Sequence, residues 1–134
     1  MRKVRDNLWI GDCLDAKNHH EQFDTIISMV RIDDYDSGNA DYRFPIADGS
    51  HDHYTFGQAV RQARQAYDAG DKLLVHCQAG VSRSTAVVTA MLAVKEGKNW
   101  EEVLYDTRAG HAPVSPELVA SGKRYIETCK RHDG

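Results

Sequence analysis

Lys72-Leu73-Leu74-Val75-His76-Cys77-Gln78-Ala79-Gly80-Val81-Ser82-Arg83-Ser84 decides how the rest of this chain is read. Residues 72 to 75 have the character of a short buried strand, and residues 84 to 94 that of a buried helix. Between them a glycine-containing turn carries a cysteine and, six positions on, an arginine. A strand, a tight loop and a helix N-terminus in that order make an anion site, because free backbone N–H groups and the helix dipole point at one spot. With a thiol at its centre, phosphate is the natural anion and nucleophilic attack the natural chemistry.

Working outward, Leu8-Trp9-Ile10 is a short strand candidate, followed by a turn and helix cap at Gly11-Asp12. The β-branched run Thr25 to Val30 reads as a central strand. Residues 33 to 41 are polar and read as a surface loop; Tyr42 to Ile46 alternates as a strand, with Pro45 placing it at an edge. Residues 47 to 53 form a loop dense in ionisable groups. Phe56, Ala59, Val60, Ala63, Ala66 and Tyr67 recur at helical spacing, and Gly70 ends that helix. Gly97 breaks the buried helix, Trp100, Val103 and Leu104 mark another, and Ser115-Pro116-Glu117 predicts an N-cap, N1 and first turn for the last. Strands alternating with helices predict an α/β fold, a mostly parallel sheet of about four to five strands with helices on both faces.

The chain has 134 residues, 41% of them hydrophobic, which fits one domain over residues 1–134. A net charge of −3 argues against a nucleic-acid-binding or membrane-binding surface. Three cysteines, Cys13, Cys77 and Cys129, are too few and too scattered for a disulfide framework or a zinc knuckle. They suit a reducing cytoplasm, as does the absence of an apolar leader or span. Nothing in the sequence names an oligomer interface, so a monomer is expected.

Cys77 directly after the strand would sit where the loop amides converge, and those amides with Arg83 favour its thiolate. Arg83 offers a planar fork matching two phosphoryl oxygens, which lysine cannot copy. The backbone of Gln78, Ala79, Gly80, Val81, Ser82 and Arg83 would hold the phosphoryl group. Ser84 can donate to the sulfur, and His76 can order the loop and help keep the thiolate charged. A phosphomonoester also needs a proton donor for its leaving oxygen. Asp48, beside the flexible Gly49, is the first choice and Asp52 the alternative. Cys77 must be ionised while the acid is protonated, which predicts a rate maximum on the acidic side of neutrality. No Gly-Lys-Ser/Thr ending marks a nucleotide loop. His51-Asp52-His53 lacks a third ligand at metal spacing, so neither a metal nor another cofactor is expected. Cys13 and Cys129 read as bystanders, although either could trap an oxidised Cys77 as a disulfide.

His76 through Ser84 resembles the signature of the cysteine-based protein tyrosine phosphatase superfamily: His-Cys, five residues, Arg, then Ser or Thr. The wording Ala79-Gly80-Val81-Ser82-Arg83-Ser84 is similar to the dual-specificity branch. Leu8 to Gly11 resembles that branch's opening strand, Phe44 to Asp48 its general-acid loop, and Arg108 to Pro116 the approach to its last helix. The chain departs from the pattern at Ser115 and Glu117, where similar proteins often carry asparagines that brace the catalytic loop. The resemblance implies the cysteine-phosphatase fold and phosphoprotein substrates bearing phosphotyrosine, phosphoserine or phosphothreonine. It also implies a metal-free, two-step reaction through a phosphocysteine at Cys77, with Asp48 as acid and then base. Two other readings stand beside it: a phosphate-binding pseudophosphatase, and a phosphatase acting on RNA, lipid or carbohydrate.

Overall fold

The computed structural model describes residues 1–31 and 40–133. Five strands, β1 (Arg2–Arg5), β2 (Leu8–Gly11), β3 (Thr25–Ser28), β4 (Tyr42–Arg43) and β5 (Leu73–His76), form one sheet in the order β1-β2-β5-β3-β4. Four of them run parallel, and only β1 is antiparallel, at the edge beside β2. β5 is central, with Val75 opposite Ile10 on one side and Ile27 on the other. Its four residues are all buried, as a parallel strand covered on both faces requires.

Side-chain alternation along the strands splits the apolar residues into two layers. Leu8, Ile10, Ile27, Leu73 and Val75 join the large core under α2 (His53–Asp68), α3 (Arg83–Glu96), α4 (Trp100–Thr107) and α5 (Pro116–Asp133). Ile26 and Leu74 point the other way, into a small cluster with Ala16 of α1 (Cys13–His19), flanked by Trp9 and Phe23. A one-turn 3₁₀ segment, His20–Gln22, follows α1. α3 lies at the centre of the thick layer, touching α2, α4 and α5, and Ser84 to Ala93 are buried without a break. Its sequence is therefore apolar all round rather than striped. The helices thus lie on both faces, as the alternation predicts. Among the described residues no helix is long and apolar enough to cross a membrane.

Two strand readings differ from the structure. β1 has no apolar alternation and was not legible as a strand. It forms because an edge needs only one partner, and Arg5 secures it through a 2.8 Å ion pair with Glu96. β4 is shorter than Tyr42–Ile46, because Pro45 has no N–H to give; bonding to β3 and beyond resumes irregularly through Phe44 N–H to Ser28 O (2.9 Å) and Ile46 N–H to Met29 O (3.3 Å). The loop read over residues 33–41 lies outside the described residues except at Ala40 and Asp41. Ser115 stands at the N-cap position of α5, with Pro116 first in the helix and Glu117 in its first turn, as predicted, but its side chain does not cap. Its hydroxyl is buried without a hydrogen-bond partner among the described residues, while its carbonyl accepts from Leu118 and Val119.

Candidate active site

Parallel strands deliver their carboxyl ends to one edge of the sheet, where α/β folds place their ligands. Gly11, Ser28 and His76 share that level, and the loop from Cys77 to Ser82 springs from it into α3. The Cys77 N–H donates to Gly11 O at 3.3 Å, which anchors the loop's first residue to β2. Gly80 closes the turn with φ of +68°, and a Cβ there would lie 2.9 Å from the carbonyl carbon and oxygen of Gly11. No side chain fits that contact, so the loop can curl this tightly only around a glycine.

Cys77 is 2% exposed, and its sulfur lies 3.2 Å from Ser84 Oγ. Burial alone pushes a thiol up, yet this one is held below its ordinary range. The Ser84 hydroxyl and N–H, the Arg83 charge and the Gly80 N–H all favour the thiolate and outweigh the burial. Ser84→Ala removes the first of these donors, so the thiolate becomes less stable and its pKa rises. The midpoint of the pH profile for iodoacetamide alkylation of Cys77 is expected to move to higher pH in Ser84→Ala; an unmoved midpoint would show that the hydroxyl does not act on the sulfur.

Arg83 and Asp48, 35 positions apart, come together across a cleft of about 520 Å³ that is also lined by Arg31, Ile46 and Gln78. Arg83 Nη1 donates to the Ile46 carbonyl at 3.0 Å, tying the loop of Cys77 to the loop of Asp48. Asp52 is used elsewhere. It is the N-cap of α2, accepting from Thr55 N–H at 3.0 Å, and contacts with Thr55 hold its carboxyl below the usual range, opposite to what a proton donor needs.

The remaining predicted residues divide by side chain. Gln78 faces the cleft, whereas Ala79 and Gly80 border a separate depression with Gly11 and Asp12. Val81 is half-buried, and Ser82 uses its Oγ to accept from Ser115 N–H at 2.9 Å. His76 is fully buried, with Nδ1 3.4 Å from the Cys77 carbonyl oxygen. Burial pushes its ring down to about 4, so it is neutral near pH 7 and supplies no positive charge to the thiolate.

Two residues matter more here than the sequence suggested. Arg2 donates to Gly80 O (2.8 Å), to Thr85 Oγ1 (2.7 Å) and twice to Thr107 O, so one guanidinium pins the turn of the loop to α3 and α4. The Ser115 N–H, bonded to Ser82 Oγ, braces the same loop from its other end. Cys13, read as a bystander, sits 3.6 Å from the Cys77 carbonyl oxygen. Burial, and next the negative charge of Cys77, push its thiol up. The signal was available only in three dimensions: β2 runs beside β5, so the residues after Gly11 meet the residues after His76.

The family model described as dual specificity phosphatase, catalytic domain, matches residues 8–118. The chain belongs to the dual specificity phosphatase family. Human dual specificity protein phosphatase 22 is 26% identical over 141 residues, covering 99% of this chain and 75% of the relative. The zebrafish (Danio rerio) dual specificity protein phosphatase 22-A is 32% identical over 129 residues, covering 87% and 59%. In fold, the chain is similar to the crystal structure of human DUSP28, with a TM-score of 0.78 and 20% identity over 98% of this chain and 99% of that one. This phosphatase is a hydrolase of phosphorylated proteins, and the matched span includes Asp48, Cys77 and Arg83.

Proposed function

We propose that residues 1–134 act as one catalytic domain that hydrolyses phosphotyrosine, phosphoserine and phosphothreonine in proteins through a phosphocysteine. The thiolate of Cys77 attacks phosphorus in line; the S–P bond forms as the ester P–O bond breaks. Asp48 passes its proton to the departing oxygen. The Asp48 carboxylate then takes a proton from water as that water attacks phosphorus, and the sulfur leaves as thiolate. Arg83 and the amides of residues 78 to 83 hold the three equatorial oxygens through both steps. Ser84 favours the thiolate as both attacking and leaving group, and His76 orders the loop through its carbonyl bond.

The observation that carries this reading is one pocket. Gly80 and Ser84 N–H groups and the Arg83 charge converge on a buried sulfur, and the same arginine reaches the loop of Asp48, the one carboxylate that lines the cleft among the described residues. A pseudophosphatase would retain the cradle but has no need of the sulfur and the acid together. Three cysteines without a disulfide fit the reducing cytoplasm that such a thiolate needs.

The test is hydrolysis of para-nitrophenyl phosphate and of phosphotyrosyl and phosphoseryl peptides, with chelator present throughout. Asp48→Asn is expected to lower turnover of the peptides by ~10³-fold and of para-nitrophenyl phosphate by only ~10², since para-nitrophenolate needs less help from a proton. Equal losses on both substrates would place Asp48 outside proton transfer, and near-wild-type turnover would return the role to Asp52. Hydrolysis of RNA, lipid or sugar phosphates far in excess of the peptides would overturn the substrate class.

A further inference from the structure

A second cavity, of about 490 Å³, lies between α2 and α5, away from the cleft that holds Arg83 and Asp48. Its walls are stripes at helical spacing: His53, Gly57 and Arg61 on α2, and Ser121, Arg124 or Tyr125, and His132 on α5. Among the described residues, none that lines it is an aspartate or glutamate, although the chain as a whole is acidic, with a net charge of −3. Other arginines are spent on acids: Arg5 on Glu96, Arg64 on Asp68, Arg131 on Glu127. Arg61 and Arg124 have no ion pair and no hydrogen bond among the described residues, and both are exposed. Solvated, unpaired guanidiniums facing one groove are forks without a fitting anion.

The groove's construction supports an occupant. Tyr125 packs beside Gly57 of α2: a Cβ at Gly57 would be in ordinary contact with both that ring, at 3.6 Å, and Arg61 Nη1, at 3.8 Å. The phenol and the guanidinium are thus neighbours on the floor. Burial pushes the Tyr125 phenol up, so it remains an O–H donor at neutral pH. At the upper end, His53 Nδ1 is bonded to Ser121 Oγ at 2.6 Å, stapling α2 to α5 five positions after Asp48. Arg61 also borders a smaller depression that contains Phe44, the residue that opens the acid loop. Among the described residues the groove shares no lining residue with the catalytic cleft, but its His53 end follows the acid loop in the chain and its Arg61 end borders the depression of Phe44. A rise of 1.5 Å per residue puts Arg61 about 12 Å beyond His53 along α2.

We propose that this groove docks an acidic segment of the phosphoprotein substrate, with Asp or Glu carboxylates of the substrate chain seated on Arg61 and Arg124. The inference rests on the phosphatase reading and adds the recognition that the catalytic pocket lacks. At about 3.3 Å per extended residue, the about 12 Å along α2 from His53 to Arg61 spans about four residues, so the acidic positions to test are set about four to eight residues from the phosphorylated one. An anionic membrane is less suited, because a concave site with two arginines offers no broad basic face.

The experiment uses two phosphotyrosyl peptides that differ only in that span, Asp/Glu in one and Ser/Gly in the other, with para-nitrophenyl phosphate as the reference. Wild type is expected to favour the acidic peptide by about 5- to 10-fold in kcat/KM, and the preference should shrink as salt rises. The double variant Arg61→Glu/Arg124→Glu should lose that preference and hydrolyse para-nitrophenyl phosphate as wild type does. Fluorescence anisotropy with the unphosphorylated acidic peptide reads the groove without chemistry. It should show binding to wild type and none to the double variant, even if no substrate is hydrolysed and the phosphatase reading falls. A preference that survives in the double variant, its absence in wild type, or binding of phosphatidylserine vesicles in place of the peptide would overturn the proposal.

Discussion

Cys77→Ser is expected to abolish turnover, by on the order of 10⁴-fold or more, while leaving phosphate binding intact. The thiolate is available because the cradle favours a negative sulfur: the Ser84 hydroxyl stands 3.2 Å away, with two amides and Arg83 beside it. A serine hydroxyl ionises far above neutrality, and the same donors cannot bring it into range. Nor is His76 placed to take its proton. His76, the adjacent ring, directs Nδ1 to the Cys77 carbonyl, and its Nε2 is buried without a partner. The nucleophile is therefore lost, whereas the amides and guanidinium that grip the phosphoryl group are untouched. Isothermal titration of a phosphopeptide into Cys77→Ser should give binding close to the wild-type KM, in parallel with a single-turnover assay showing no burst. Residual turnover within a hundredfold of wild type would mean that another group attacks phosphorus.

The sequence carried the central part of this site because the chemistry there is local. Strand, cysteine, glycine turn, arginine and helix are contiguous, and each has only one reading in that order. The buried character of α3 followed from its uniform apolar run, and Gly97 at its C-cap, with φ of 67°, from a glycine placed where the run stops. What was hidden depends on neighbours brought together by the sheet. Arg2 lies 78 positions from Gly80 and reads as one charge among several at the start of the chain. Only the antiparallel placement of β1 at the edge beside β2 brings it under the loop. Cys13 was hidden for the same reason, by the β2–β5 pairing. Ser115 holds the N-cap position the sequence predicts, but its hydroxyl does not cap, because the capping preference is a statement about an isolated helix start. Here its N–H is bonded to Ser82 and its hydroxyl lies buried, so tertiary contacts override the local rule. The positions of Asp48 and Asp52 depended on loop register: Asp52 caps α2, whereas Asp48 lines the cleft.

Arg83→Lys is expected to lower kcat/KM by about 10³-fold with the fold retained, close to the effect of deleting the side chain. Two functions fail together. A lysine presents one point charge where the planar fork would span two equatorial oxygens, so the contacts that strengthen as charge moves onto those oxygens are lost. The 3.0 Å bond from Nη1 to the Ile46 carbonyl is lost as well, and with it the tie that holds the Asp48 loop against the loop of Cys77. Part of the penalty therefore belongs to the acid rather than to phosphate binding. That division has a signature in a double-mutant cycle. If the arginine positions the acid loop, Arg83→Lys combined with Asp48→Asn should cost clearly less than the product of the two single losses, because the acid is already displaced in the first. Strictly multiplicative losses would confine Arg83 to the phosphoryl group. Steady-state kinetics on the four proteins, with thermal melts to confirm equal folding, decides between one shared device and two independent ones.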